Sequence, residues 1–315
     1  MAGLNVSFAF FVSIVAICEV VRQISKRFIP LGVYRCLAKE LASSLQLCAC
    51  CLELRMLVEL GPWGGGFGPD VTLTLLFLLF LVHGFSFGGA SANPMVCLQE
   101  FLIMESSFVA TTVKILAQFA GMEAGRIFTK LFWSWELTEL HLIQNLMAFD
   151  CSSSIQTSLS QGIYVEGGCS FFFHLVALKF QHSRVLYRVP VVALLVTVLA
   201  YTAGLSTGAF YNPALATAVT FHCSGNNLQE YIQVYWLGPL TGMLIAVLLF
   251  QGNIPRLFQK NLLYNQRSKY KTPKVKAVSV PAAVVKRIGK SIEKKNGGGN
   301  YSVVEAEGSP GPHLS

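Results

Sequence analysis

Glu40 and Glu166 lie inside strongly apolar stretches of this 315-residue chain, "CLAKELASSLQLCACC" and "GIYVEGGCSFFFHL". A carboxylate in such surroundings is costly unless it moves protons or accepts hydrogen bonds. Downstream of each lies an Asn-Pro pair that could provide the donors. Asn93-Pro94-Met95 stands in "GASANPM" and Asn212-Pro213-Ala214 in "GAFYNPA". Asn-Pro usually marks a wet turn, yet these pairs follow the apolar runs "VTLTLLFLLFLV" and "VVALLVTVLAY". Inside such a run the pair makes sense as a helix start. Asn caps the first turn with its side-chain oxygen, and Pro fits the first helical position, whose N–H has no partner to lose. The Asn NH₂ then remains to donate into a cavity. No Ser/His or His/Cys constellation accompanies the two acids, so bracing of nearby backbone is preferred to general acid/base catalysis. His83 and His174 flank no metal-ligand spacing and read as hydrogen-bonded core histidines. "CACC" lacks the second CxxC or flanking His of a zinc site. No cofactor is expected.

The elements that must position these groups are read from composition and repetition. Hydrophobic residues make up 53% of the chain and charged residues 13%, about half the charge of a soluble domain, and the mean hydropathy is +0.54. Long apolar runs with so little charge predict an all-α polytopic membrane protein. The sequence also repeats itself. Glu40 precedes Asn93 by 53 residues and Glu166 precedes Asn212 by 46. Each box is followed by a small-xxx-small helix, Gly121 and Gly125 in the first half and Gly238 and Gly242 in the second. Each half therefore reads helix, helix, short re-entrant segment, helix. Three spans is an odd number, so the halves insert with opposite orientation, an inverted 3+3 repeat with two re-entrant Asn-Pro half-helices. Irregular backbone at membrane depth is tolerated only where protein buries it or water reaches it.

The six spans fall at residues 34–60, 71–88, 106–131, 162–181, 190–205 and 228–251. This divides the chain into an extra N-terminal segment (1–33), a first pore repeat (34–131), a connecting loop (132–161), a second pore repeat (162–253) and a basic tail (254–315). Residues 4–21 are apolar with Arg22, Lys26 and Arg27 after them, the reverse of a signal peptide, and an uncleaved extra span is preferred to an interfacial helix. The tail has 12 Lys/Arg against 3 acids. Too polar to bury a core, it is expected to be disordered. With the basic stretch 22–35 and Arg184 and Arg188 it falls on one side, which the positive-inside rule makes cytoplasmic. No nucleic-acid partner is expected. In the loop, Trp133 and Trp135 are candidate interfacial anchors. The nine cysteines suggest no disulfide framework, most lying in apolar segments as small hydrophobes.

The paired Asn-Pro boxes, the Gly-Ala before each, a buried Glu opening each half and "YWLGP" in the last helix together resemble the aquaporins (major intrinsic proteins), in their unorthodox intracellular branch. The likeness covers residues 34–250. It implies a homotetramer in the lipid bilayer with one pore per subunit, passing water and small neutral solutes such as glycerol or hydrogen peroxide. It also implies an intracellular, endoplasmic-reticulum-type membrane, and Glu40 and Glu166 holding the re-entrant backbone. The departures are specific. The first box has Met95 where the family pattern has Ala. Leu215 follows the second box where water-selective members have Arg, and Ala200 stands where they have His. With Ala209, these positions form the expected selectivity region. Cys223, nine residues after Ala214, matches a Cys of the unorthodox branch; a buried small hydrophobe or a special role both fit it. The leading reading is a passive channel. A non-conducting scaffold and an intramembrane enzyme are the alternatives.

Overall fold

The computed structural model describes residues 2–30, 32–65, 67–147, 151–225, 227–254 and 256, which carry helices and no β-strand. After α1 (Ala2–Phe28) come α2 (Val33–Leu60), α3 (Pro69–Ser86), the short α4 (Pro94–Leu102) and α5 (Phe108–Trp133). A small helix, α6 (Glu139–Met147), leads to α7 (Leu159–Phe180), α8 (Val185–Thr207) and α9 (Pro213–Ala216). α9 continues as a π-helical turn, Thr217–Phe221. The last long helix runs Leu228–Gln251 as α10 (Leu228–Ile232), a π turn and α11 (Gly238–Gln251). Among the described residues six helices are long and apolar enough to cross a membrane: α1, α2, α3, α7, α8 and Leu228–Gln251. α5 is 26 residues long but carries Lys114, Glu123, Arg126 and Lys130, and it owes its place to packing rather than apolarity.

That packing is set by four glycines. A Cβ on Gly121 would lie 2.4 Å from the Leu41 carbonyl oxygen, and one on Gly125 would lie 2.8 Å from that of Leu45. The numbers rise together along both helices, so α2 and α5 run parallel in backbone contact. The second half repeats this. A Cβ on Gly238 would lie 2.9 Å from the Ile163 carbonyl oxygen and one on Gly242 2.0 Å from that of Gly167, which makes α7 and α11 parallel as well. Close approach of this kind is what small residues permit between membrane helices. The middle helices join the halves, with Gly84 of α3 against Val189 of α8.

Several expectations change. Residue 190 does not begin a span: α8 starts at Val185 and Pro190 lies inside it. The ring removes the N–H that would reach the Leu186 carbonyl, one helical bond in the second turn. The loop 132–161 contains α6, whose His141 is fully buried. Trp133 is no interfacial anchor, because it is 3% exposed and its indole donates to Glu53 Oε2 at 2.8 Å; Trp135 is exposed. The tail reading falls outside the described residues except at its start. There Ile254 is buried against Leu178 and Met243, and Arg256 donates to the Phe101 and Ser106 carbonyls at 3.2 and 2.8 Å.

α1 packs antiparallel on α2 and is fastened at both ends. Ser7 donates to Glu53 Oε1 at 2.5 Å, and Glu53 also contacts His141 Nε2 at 3.0 Å. Toward the other end the buried Arg22 donates to Gln46 Oε1 at 2.8 Å. Gln46 in turn meets His83 Nδ1 at 3.0 Å. These buried polar clamps, with Phe10, Phe11, Ile14 and Cys18 in the core, make α1 part of the bundle.

The cysteine expectation is corrected at one pair. Cys151 and Cys223 form a disulfide across 72 residues, while the seven free cysteines are buried or half-buried. The bridge pins the loop before α7 to the end of the second half-helix, beside the Ser153 N–H to Ser224 carbonyl bond of 2.9 Å. Closing a loop of this size stabilises by about 2–4 kcal/mol. Cys223→Ser is therefore expected to lower the non-reducing melting temperature by several degrees, and Cys151→Ser by the same amount. Additive losses in the double variant would argue against a bridge.

Candidate functional site

Each half-helix starts in the interior and is held by the glutamate of its own repeat. Glu40 Oε1 accepts the Ser91 N–H at 3.0 Å and Oε2 accepts that of Ala92 at 3.0 Å. Glu166 Oε1 accepts the Phe210 N–H at 3.1 Å and Oε2 that of Tyr211 at 2.5 Å. Relative to the Asn of each box these are the same two positions, the second and first residues before it. Both carboxylates are buried, at 1% and 0% exposure, so their oxygens need hydrogen-bond partners from the protein. Glu40 takes a further bond from Gln118 Nε2 at 2.9 Å, and Glu166 one from Thr207 Oγ1 at 2.5 Å.

The cradle allows a backbone that would otherwise be avoided. Ala92 and Tyr211, the residues before the two asparagines, have φ of 48° and 32°. The left-handed region costs a non-glycine residue about 1–3 kcal/mol. Here the turn aims each N–H at its glutamate. It also brings the preceding carbonyls toward the opposite box. Asn93 Nδ2 donates to the Tyr211 carbonyl at 3.2 Å, and Asn212 Nδ2 donates to the Ala92 carbonyl at 2.8 Å. The two boxes thus cross-link reciprocally, and the amides are not wholly turned to a cavity as the sequence reading expected. An NH₂ group has two N–H bonds, and each amide uses one to join the repeats.

The capping follows expectation. Asn93 Oδ1 accepts the Met95 N–H at 2.9 Å, and Asn212 Oδ1 accepts the Leu215 N–H at 3.3 Å. Pro94 and Pro213 take the first helical positions. The positive ends of two half-helices meet where Asn93 and Asn212 stand. Residues of the last helix support the second box. Tyr231 donates its hydroxyl to the Pro213 carbonyl, and Tyr235 donates to that of Thr207, both at 2.8 Å.

The positions expected to form the selectivity region are apolar. Leu215 is 7% exposed and belongs to the same buried cluster as Phe210, Ala214 and Tyr235. Ala209 (φ 49°) clusters with Leu199 and Ala203 of α8. Ala200 is half-buried and belongs to neither cluster. Met95 is fully buried. His83 and His174 are core histidines, the latter paired with Gln99 Oε1 at 2.6 Å. The supporting groups Gln118, Thr207, Tyr231 and Tyr235 were not singled out from the sequence. Gln118 was the most accessible, one helical turn before Gly121 on the face that meets α2.

Two inverted triplets of helices, each holding a glutamate-braced half-helix, define a membrane-channel architecture. The chain belongs to the major intrinsic protein family, whose model matches residues 36–250. It is 60% identical to aquaporin-12 of Mus musculus over 88% of this chain and 95% of that protein. It is 32% identical to aquaporin-11 of Homo sapiens over 82% of this chain and 93% of that one. In fold it is similar to the X-ray structure of the aquaglyceroporin from Plasmodium falciparum, with a TM-score of 0.56 and 16% identity, over 72% of this chain and all of that one. It is a multi-pass integral membrane protein.

Proposed function

We propose that the chain is a passive channel for water and small neutral solutes, and not an enzyme. The reciprocal amide-to-carbonyl cross-link between the boxes at Asn93 and Asn212 carries this reading. It places two cap residues and two positive helix ends together at the centre of the bundle, where they favour oriented donation to a neutral solute and oppose cations. Catalysis finds no support in the acids, whose oxygens are occupied by backbone and side-chain donors. The channel reading takes with it a homotetramer in an intracellular, endoplasmic-reticulum-type membrane with its C-terminus cytoplasmic. A disulfide is formed and kept on an oxidising side, so Cys151–Cys223 supports a lumenal loop before α7.

A non-conducting scaffold is the second reading, favoured by the buried Met95 at one box and Leu215 at the other. Stopped-flow light scattering on proteoliposomes separates the two. Permeability above that of empty vesicles, lost in Asn212→Ala, establishes conduction; background flux from folded protein establishes the scaffold.

Selectivity follows from the apolar positions. An Arg at a narrow ring offers fixed charge and several donors, which favour water and repel cations, whereas Leu215 offers neither. Leu215→Arg is expected to lower the ratio of glycerol to water permeability severalfold in reconstituted vesicles. An unchanged or higher ratio in inserted protein would remove Leu215 from the constriction.

A further inference from the structure

Away from the two boxes, the C-terminal turns of α2 and α5 and the end of the second half-helix enclose a pocket of about 60 Å³. α2 and α5 are parallel, so both bring the same end of the bundle to it. Among the described residues three full cations line it, Arg55, Arg126 and Lys130, against the one carboxylate of Glu59, and the Cys151–Cys223 disulfide forms part of its wall.

Two of the cations are held by neighbouring side chains with donors left over. Arg55 Nε donates to Glu59 Oε1 at 2.6 Å and Nη1 to Ser154 Oγ at 2.7 Å, leaving Nη2. Arg126 donates Nε to Glu123 Oε2 at 2.9 Å and Nη2 to Glu123 Oε1, leaving Nη1. His222 Nε2 lies 3.6 Å from the same Glu123, which is thereby engaged on two sides. Lys130 is half-buried one helical turn after Arg126 and has no hydrogen bond or ion pair among the described residues. Lys130 stands in the last turn of α5, where the helix carbonyl end eases its charge, but the guanidinium of Arg126 one turn earlier repels it. The volume has room for a few water molecules or one small oxyanion.

We infer that this pocket binds a single phosphate-type oxyanion between Lys130, Arg55 and Arg126. Such a group is shared by inorganic phosphate and by the phosphomonoester headgroup of an anionic lipid. The helix ends that form the pocket put it where either source could reach it. Guanidinium groups match phosphate by paired donation, and the ammonium adds a point charge.

The test uses the full chain in phosphatidylcholine nanodiscs and does not depend on transport. Sodium phosphate, compared with sodium chloride at equal ionic strength, is expected to raise the melting temperature by about 2–4 °C. Lys130→Gln should abolish the rise and Lys130→Arg should retain it. A rise with phosphatidic acid in the disc but not with free phosphate would identify a headgroup as the source; the reverse would identify the soluble ion. Either result supports the site. If Lys130→Gln does not insert, phosphorus NMR line broadening of phosphate by the wild-type chain, reversed by sulfate, replaces it. No rise from either source, or an equal rise in Lys130→Gln, overturns the inference.

Discussion

Glu166→Leu is expected to abolish assembly of a monodisperse, conducting protein, and Glu166→Gln to weaken it without abolishing it. The leucine leaves the Phe210 and Tyr211 N–H groups and the Thr207 hydroxyl without their acceptor in a dry interior. Each orphaned backbone donor costs about 1–3 kcal/mol, against a total stability that for most domains is about 5–15 kcal/mol. Tyr211 would also keep its left-handed backbone with nothing to offset the strain. Glutamine retains one carbonyl oxygen. Turned toward the Oε1 position, it still accepts from Phe210 and Thr207 at 3.1 and 2.5 Å, but its NH₂ then opposes the Tyr211 N–H. The expected order of melting temperature and reconstituted flux is wild type, Gln, Leu. The same order should hold at Glu40, which accepts from Ser91, Ala92 and Gln118. Equal behaviour of all three forms would remove the bracing role and reopen a chemical one.

The parts of this architecture that were legible in the sequence are those that occur twice. Glu40 with Asn93 and Glu166 with Asn212 announced themselves because chance does not repeat an acid, an Asn-Pro and a glycine pair in one order. Element ends were less legible. Pro190 reads locally as a helix boundary, yet tertiary packing of α8 on α3 carries the helix five residues further back. The long-range polar partners were hidden for a different reason. Nothing near Glu53 in "CLELRML" says that Ser7, Trp133 and His141 will converge on it, since those contacts exist only once α1, α5 and α6 have docked. Cys151 and Cys223 are likewise 72 residues apart, in a chain whose other cysteines are unpaired, and pairing from spacing alone has no basis. The cross-link between the boxes depends on the carbonyls of Ala92 and Tyr211, backbone atoms whose direction no side-chain pattern encodes.

Gly242→Ala is expected to be nearly as damaging as Glu166→Leu, although it adds one methyl group. That methyl would lie 2.0 Å from the Gly167 carbonyl oxygen and 2.8 Å from the Phe171 nitrogen. Both are backbone atoms of a continuous helix, so no rotamer change can relieve the contact. α7 and α11 must separate by more than an ångström, and the loss extends beyond their interface. Gly167 follows Glu166, so any shift of this part of α7 draws the carboxylate from the Phe210 and Tyr211 N–H groups and loosens the second box. Overpacking alone costs about 1–3 kcal/mol; coupled to those hydrogen bonds it should reach the upper end of that range or exceed it. Gly168 is the control. It lies on the same helix with nothing within 4 Å of its added Cβ, and Gly168→Ala should be neutral or stabilising by up to about 1 kcal/mol, as alanine is the better helix former. Gly121→Ala, whose methyl would stand 2.4 Å from the Leu41 carbonyl oxygen, should reproduce the effect in the first repeat through Glu40. Thermal unfolding in detergent and vesicle permeability, measured on all three variants, check the pattern. If Gly242→Ala and Gly168→Ala melt together, backbone contact between α7 and α11 does not hold the second half-helix in place.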